Sequence, residues 1–244
     1  MPKPHGRQSK KLAIFDVDGT IFRSSLVIEL VHAFLREGIF KPSAARIFEI
    51  ERRRWLDRAG SYEDYVDAVV VAFIKHSKGV AYADFLRVAK RMMMAQKSHV
   101  YRFTRDLIID LKRQGYWLAA ISHSPRDIVG LFAEHLGFDK AYGIVYELDD
   151  HRRFTGKMLF EDVIFDKAKV VRRILEKEPV TLHDSIGVGD TESDIPFLKM
   201  VAHPICFNPN QKLFDAAKRF GWQVVVERKN VIYKLPVSTK QKMR

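Results

Sequence analysis

Four short apolar segments constrain the fold of this chain more than any other feature of its sequence. The segments are KLAIFD at 11–16, WLAAIS at 117–122, SIGVGD at 185–190 and HPICFN at 203–208. Each ends in small, polar or charged residues, and each has a pattern of helical period before or after it. Because this alternation is typical of a parallel sheet wound with helices, it predicts an α/β fold.

Two further apolar runs fit the same sheet or its edge, AYGIVY at 141–146 and WQVVVE at 222–227. Between Glu147 and Lys157 the chain reads LDDHRRFTG, a run of turn-forming and charged residues that predicts a hairpin turn.

The stretch from residue 26 to about residue 96 differs, because its apolar residues follow helical periods that are separated by breakers. The breakers are Gly38 and Pro42, Gly60 and Ser61, and Gly79. This pattern predicts an all-helical insertion after the first strand. We expect a core formed by residues 1–24 and 98–244 and a helical cap formed by residues 25–97.

The formal charge of +12 on 244 residues is high, and it raises the question of a nucleic-acid partner. The basic residues are mostly interspersed with acids, as on solvated helix faces. Only the two ends, 3–11 and 228–244, are basic with almost no acid, which is typical of disordered arms. We therefore expect no dedicated nucleic-acid site. Whether these ends bind a polyanion, and the oligomeric state, stay open.

The single cysteine, Cys206, cannot form an internal disulfide, and this favours a reducing compartment. The N-terminal segment is polar and basic without the apolar core of a signal peptide, and no run approaches a membrane span. The sequence thus predicts a cytoplasmic protein with no membrane partner.

Polar residues end separate strands of the predicted sheet: Asp16, Ser122 and Asp190, with Asp194 one turn later. Ligands of a parallel sheet bind beyond the carboxyl ends of its strands, so these side chains should converge. Several carboxylates brought together without a counterion raise one another's pKa. A divalent cation resolves that conflict, and ligands that are rich in oxygen favour Mg²⁺.

Four motifs occur here in a characteristic order: DVDGT, the serine of ISHSP, the lysine of DKAK, and GVGDTESD. Each alone is common at turns, strand ends or surfaces, but the set in order is specific. The chain resembles the haloacid dehalogenase superfamily, in particular its subfamily IB, the phosphoserine-phosphatase-like branch. The resemblance implies a Rossmann-like core with a helical cap after the first strand, and a phosphatase that acts on a small phosphorylated metabolite.

The resemblance also implies roles for the catalytic residues. Asp16 would be the nucleophile that forms an aspartyl-phosphate, and Asp18 would protonate the leaving oxygen and then activate water. Ser122 would donate a hydrogen bond to the phosphoryl oxygens. Lys167 would neutralise the attacking carboxylate and the phosphoryl charge, and Lys169 is its competitor two residues later.

The same resemblance implies an Mg²⁺ site formed by Asp16, the backbone carbonyl of Asp18, and Asp190. Asp194 would then orient the lysine or the water beside the metal. Thr20 is expected to fix the loop after Asp18 and to touch phosphate.

Two further residues are candidates for substrate contacts. His123 follows the motif serine, and its side chain faces either the site or the opposite side. Arg23 lies where the chain leaves the core, and it is either an anchor for an anionic group or a solvated charge of the linker.

The chain departs from the pattern typical of enzymes that act on phosphoserine. Those enzymes usually have D-x-D-S-T followed by a glutamate, whereas here Gly19 and then FRSS occupy these positions. We therefore expect a phosphomonoester hydrolase whose particular substrate the sequence does not identify. The alternatives are a phosphoserine phosphatase specifically, a phosphotransferase, and a binding protein that holds phosphate or a polyanion without turnover.

Overall fold

An eight-stranded sheet organises the part of the chain that the computed structural model describes, residues 9–236. The strands are β1 (Lys10–Asp16), β2 (Trp117–Pro125), β3 (Lys140–Leu148), β4 (Phe154–Leu159), β5 (Val180–Gly189), β6 (His203–Phe207), β7 (Gln223–Arg228) and β8 (Val231–Leu235). Their order is β4-β3-β2-β1-β5-β6-β7-β8. The six strands from β3 to β7 are parallel, and β4 and β8 pair antiparallel at the edges.

The helices fall into two groups along the chain. Between β1 and β2 lie α1 (Leu26–Arg36), α2 (Ala45–Leu56), α3 (Tyr62–Ser77), α4 (Tyr82–Gln96) and α5 (Arg102–Arg113). Later come α6 (Arg126–Leu136), α7 (Glu161–Ile164), α8 (Lys167–Lys177), α9 (Ile195–Leu198) and α10 (Gln211–Phe220). The predicted α/β fold with a helical insertion after the first strand is confirmed.

The central strand explains why polar residues gather at one edge of the sheet. Residues 12–15 of β1 are fully buried, because β2 and β5 flank the strand and helices cover the sheet. A parallel strand that is buried on both faces must be apolar along its length. Its first acidic side chain, Asp16, therefore appears where the strand ends.

Helices α1, α3 and α4 pack around a cluster of phenylalanines. The ring of Phe34 lies 4.7 Å from that of Phe40 and 6.2 Å from that of Phe73. The β3–β4 hairpin adds to this cluster, since Tyr146 lies 5.0 Å from Phe73 and Phe154 lies against the same ring. The inserted helices thus share their apolar core with the hairpin. The exact division into core and cap remains a prediction.

One local prediction was wrong. Residues 228–235 were expected to belong to a disordered basic arm, but they complete β7 and form β8, which pairs with it. Val231, Ile232 and Tyr233 have the β-branched and aromatic side chains that strands favour, and pairing with β7 outweighs the local positive charge. In the N-terminal basic end, Lys10 and Lys11 begin β1. Residues 1–8 and 237–244 lie outside the described residues. Among the described helices, none has the length and apolar character needed to span a membrane.

Gly19 makes the turn that follows β1. Its φ is +82°, in the left-handed region that favours glycine, and a Cβ placed there would lie 2.2 Å from Oδ2 of Asp190. Gly38 also has a positive φ, +71°, but nothing lies within 4 Å of a Cβ at that position. The turn after β1 therefore has a steric requirement for glycine that the turn after α1 lacks.

We predict that Gly19→Ser lowers the free energy of unfolding by about 2 to 4 kcal/mol, from backbone strain and the clash with Asp190 together. Gly38→Ser is the matched control, and it should cost about 1 to 2 kcal/mol from backbone strain alone. Urea unfolding of both variants measures the difference. Equal losses of unfolding free energy in the two variants would show that the contact with Asp190 does not exclude a side chain at position 19.

Candidate active site

Four charged side chains meet at the carboxyl edge of the sheet: Asp16, Lys167, Asp190 and Asp194. Asp16 ends β1, and the adjacent strand β5 leads into Asp190. Lys167 begins α8, whose first turn is capped by the carboxylate of Asp166. The ammonium of Lys167 is buried and donates to Oδ1 of Asp16 at 2.6 Å and to Oδ1 of Asp194 at 2.5 Å.

Asp194 is fixed by the tight turn after Asp190. Its Oδ2 accepts from the backbone N–H of Asp190 at 2.9 Å and from that of Thr191 at 3.1 Å. The side chain of Thr191 reciprocates within a capping box. Both oxygens of Asp194 are therefore engaged, one with the lysine and one with the backbone.

The buried charges do not balance. Burial raises the pKa of Asp16 to about 7, although Lys167 opposes this and Asp194 and Asp18 add to it. Burial, followed by repulsion from Asp16 and Asp194, also raises the pKa of Asp190 well above its usual range. Burial acts to lower the pKa of Lys167, but the two carboxylates it contacts raise it overall. One ammonium thus faces more carboxylate charge than it can neutralise.

Carboxylate oxygens of Asp16, Asp190 and Asp194 lie within 4.8 Å of one another, close enough to hold one cation. Because the oxygens of Asp194 are already engaged, Asp16 and Asp190 are the members with free capacity. A donor set of carboxylate oxygens suits a hard divalent cation such as Mg²⁺.

Asp18 is held apart from this acidic group by donors from two other elements. Its carboxylate accepts from the hydroxyls of Ser122 and Ser124 and from the backbone N–H of Leu26, the last at 2.5 Å. Ser124 also accepts from the N–H of Val27 at 3.1 Å, so it connects the end of β2 to the start of α1.

A cavity of about 270 Å³ lies above these residues, and most of the predicted site residues line it. Asp16, Asp18, Lys167, Asp190 and His123 do so. The inserted helices contribute Tyr62 and Glu63 from the start of α3. Glu63 also accepts from the side-chain amide of Asn210 at 2.9 Å. Asn210 caps the start of α10, so this hydrogen bond joins the inserted helices to the core.

The other predicted residues lie beneath or beside the cavity. Ser122 and Thr20 are fully buried, and neither belongs to the described lining. Ser122 donates to Asp18, and Thr20 donates to Oδ1 of Asp190 at 3.0 Å. Arg23 is exposed and lines a neighbouring cavity, with its guanidinium 5.6 Å from the ring of Tyr101.

His123 is an uncharged member of the lining. Burial, and then the nearby Lys167, lower its pKa to about 3. Its ring packs 5.3 Å from that of Phe165, and Nε2 has no hydrogen-bond partner among residues 9–236. The neutral imidazole therefore presents an unsatisfied nitrogen at the site.

Three residues at the site, Ser124, Tyr62 and Glu63, were not predicted from the sequence. Ser124 is the second serine of the same ISHSP motif, so the motif contained it, but nothing local distinguished its side chain from that of Ser122. Tyr62 and Glu63 reach the cavity through the packing of α3, a long-range contact for which the sequence pattern offered no indication.

The comparisons with known proteins agree with this architecture. A family model described as haloacid dehalogenase-like hydrolase matches residues 13–199. A phosphoserine phosphatase of Mycobacterium tuberculosis is 30% identical over 219 residues, which cover 87% of this chain and 69% of that protein. A phosphoserine phosphatase of Archaeoglobus fulgidus is 24% identical over 213 residues, 86% of this chain. The match takes in only 56% of the archaeal protein, so this chain spans little more than half of its length.

A solved structure described as a phospho-aspartyl intermediate analogue of phosphoserine phosphatase has the same fold, with a TM-score of 0.60 and 21% identity. The likeness covers 91% of this chain and 95% of that one. Taken with the matched family model and the arrangement at the sheet edge, these likenesses lead to one conclusion: the chain belongs to the haloacid dehalogenase-like hydrolase family and is similar to its phosphoserine phosphatases.

Proposed function

We propose that this chain is a Mg²⁺-dependent phosphatase that hydrolyses small phosphomonoesters through an aspartyl-phosphate at Asp16. The observation that carries the proposal is the contact of Lys167 with both Asp16 and Asp194 beside Asp190, at the floor of an open cavity. The family and its phosphatase members support a phosphatase.

The donor set at the cavity floor fits a divalent cation, because its carboxylates outnumber its one ammonium and two of them have raised pKa values. Asp16, Asp190 and the backbone carbonyl of Asp18 would hold Mg²⁺, while Asp194 orients Lys167. When bound, the metal would neutralise the carboxylates and polarise the phosphoryl oxygens.

Asp16 would attack phosphorus with the oxygen that does not accept from Lys167. The lysine fixes the rotation of the carboxylate, and its charge lies where negative charge accumulates on the phosphoryl group. The bond from phosphorus to the leaving oxygen breaks as the acyl phosphate forms. Water then attacks phosphorus, releasing inorganic phosphate and restoring Asp16.

Asp18 would give a proton to the leaving oxygen and later take one from the attacking water. The donors at its carboxylate, Ser124 and the N–H of Leu26 among them, hold it toward the cavity.

The remaining predicted residues would act around this centre. Ser122 and Thr20, which bond to Asp18 and Asp190, would position those carboxylates, and Ser122 would turn its hydroxyl to phosphate when substrate arrives. His123 would use its unpartnered nitrogen to bind substrate. Arg23 would contact the leaving group from the neighbouring cavity.

The inserted helices, residues 25–97, would act as a lid that excludes water from the acyl phosphate. Two connections to the core cross near 24–26 and 97–101. The lid is also bonded to the β3–β4 hairpin, since the N–H of Gly79 donates to the carbonyl of Phe154 at 2.8 Å and Phe154 donates to that of Val80 at 3.0 Å. Any opening would have to break these bonds or move the hairpin together with the lid.

We predict that Asp16→Asn abolishes phosphate release from a panel of phosphomonoesters with Mg²⁺, by roughly 10³-fold or more, because the amide is not a nucleophile. The carboxylate of Asp184 pairs with Lys11 and His203 outside the cavity lining and offers a matched control, so Asp184→Asn should release phosphate as the unchanged protein does. Residual activity of Asp16→Asn within about tenfold of that control would exclude Asp16 as the nucleophile.

A second prediction concerns the metal. Mg²⁺ should raise the melting temperature, since at about one hundred times its Kd a ligand stabilises by roughly 2.7 kcal/mol. Asp190→Asn should lose this shift, whereas Asp67→Asn, which removes an acid from the side of the cavity formed by α3, should keep it.

Turnover provides a second test of the metal. EDTA should stop it reversibly, and Ca²⁺ should not restore it because Ca²⁺ prefers more ligands at longer distances. Full turnover by metal-stripped protein would contradict the proposal.

A further inference from the structure

The cavity beside the catalytic one has aromatic walls. It measures about 410 Å³, within the range that holds a drug-sized ligand, and Tyr62 and Asp190 line both cavities. We propose, on the basis of the function proposed above, that the alcohol released from the substrate carries a flat, uncharged ring that stacks in this cavity against Trp55 and Tyr62.

The aromatic wall comes from the cap and from the segment that returns to the core. Trp55 lies in the last turn of α2, Tyr62 and Tyr65 lie in the first turn of α3, and Tyr101 precedes α5. The ring of Trp55 lies 5.1 Å from that of Tyr62 and stacks 5.7 Å from that of Tyr65. Trp55 and Tyr62 are only half-buried, so parts of their surfaces remain for a ligand. Such surfaces favour a planar ring because stacking adds to the apolar area buried.

Among residues 9–236, three charged side chains line this cavity. The carboxylate of Asp190 belongs to the metal site proposed above, and Arg23 and Glu29 have opposite charges. Glu29 also accepts from the hydroxyl of Ser24 at 3.1 Å. Burial lowers the pKa of His32, so it adds no charge near neutral pH. A strongly cationic or anionic leaving group would gain little binding energy in this cavity. Hydroxyl or amide groups at the edge of a ring could form hydrogen bonds with these side chains.

The cavity adjoins the residues proposed for catalysis. Gly19, which follows Asp18, lies in its wall together with Asp190. A third cavity, lined by Trp55, Tyr62 and Asp190 among others, continues past Arg58. An ester whose phosphorus lies at Asp16 can therefore place its alcohol against Tyr62 and Trp55 without displacing the inserted helices.

The test compares two esters whose leaving groups have similar basicity, 2-phenylethyl phosphate and butyl phosphate, with acetyl phosphate as a small reference. We expect kcat/KM for 2-phenylethyl phosphate to exceed that for butyl phosphate by about tenfold or more. Trp55→Leu should lower this ratio at least about fivefold, since stacking on one aromatic side chain is worth roughly 1 to 3 kcal/mol. Trp55→Phe retains a ring and should restore most of the ratio.

Trp222→Leu is the matched control, because Trp222 is also half-buried but stacks on Phe220 outside these cavities. It should leave the ratio unchanged. An equal ratio in Trp55→Leu and in the unchanged protein would overturn the inference, as would faster turnover of phosphocholine or phosphoserine than of 2-phenylethyl phosphate. Hydrolysis of acetyl phosphate without any ring preference would contradict this inference alone, whereas failure to hydrolyse acetyl phosphate would overturn the proposed function and the inference with it.

Discussion

The ammonium of Lys167, shared between Asp16 and Asp194, is the interaction on which the site depends. It joins the end of β1, the first turn of α8 and the turn after β5 through two short contacts in the interior. Removing Lys167 would leave both carboxylates without this counterion, and breaking a buried ion pair in this way typically costs about 3 to 5 kcal/mol. The same ion pairs that fix the geometry therefore make the site intolerant of change. The three carboxylates carry more negative charge than Lys167 neutralises, and a bound cation can neutralise the remainder.

Residues of both the inserted helices and the core form the catalytic cavity, and hydrogen bonds join the two. Asp18 accepts from the first turn of α1, Ser124 accepts from Val27, and Glu63 bonds to Asn210. The β3–β4 hairpin adds backbone hydrogen bonds on the other side. A motion of these helices away from the core would loosen contacts that also orient Asp18. Under the proposed function, such a motion would couple access to the cavity with the position of the group that transfers the proton.

The positions of Asp16, Asp190 and Lys167 could be predicted because each lies next to a boundary that local pattern reveals, a strand end or a helix start. Ser122 and Ser124 could not be told apart in the same way. The pairing of β2 with β3 shifts register between Ile121 and Pro125, so simple alternation fails there. The position of the aromatic wall could not be predicted from the sequence either, because it depends on how α2 and α3 pack. Helical periodicity alone does not specify which helical turn lies over the edge of the sheet.

Gly19 adjoins both Asp190 and the neighbouring cavity that is proposed to hold the leaving group. At this position the side chain of Asp190 occupies the space that a Cβ would need, so a serine, which is typical of enzymes for phosphoserine, does not fit the present arrangement. The carboxylate of Asp190 fills that space, and Gly19 and Asp190 together form this part of the wall of the neighbouring cavity. The buried charges can accept little variation, whereas the half-buried aromatic residues of the cap can change without exposing a charge. Differences in substrate between this chain and its relatives should therefore arise in the cap and at Gly19, and the chemistry at Asp16 should be the part that they share.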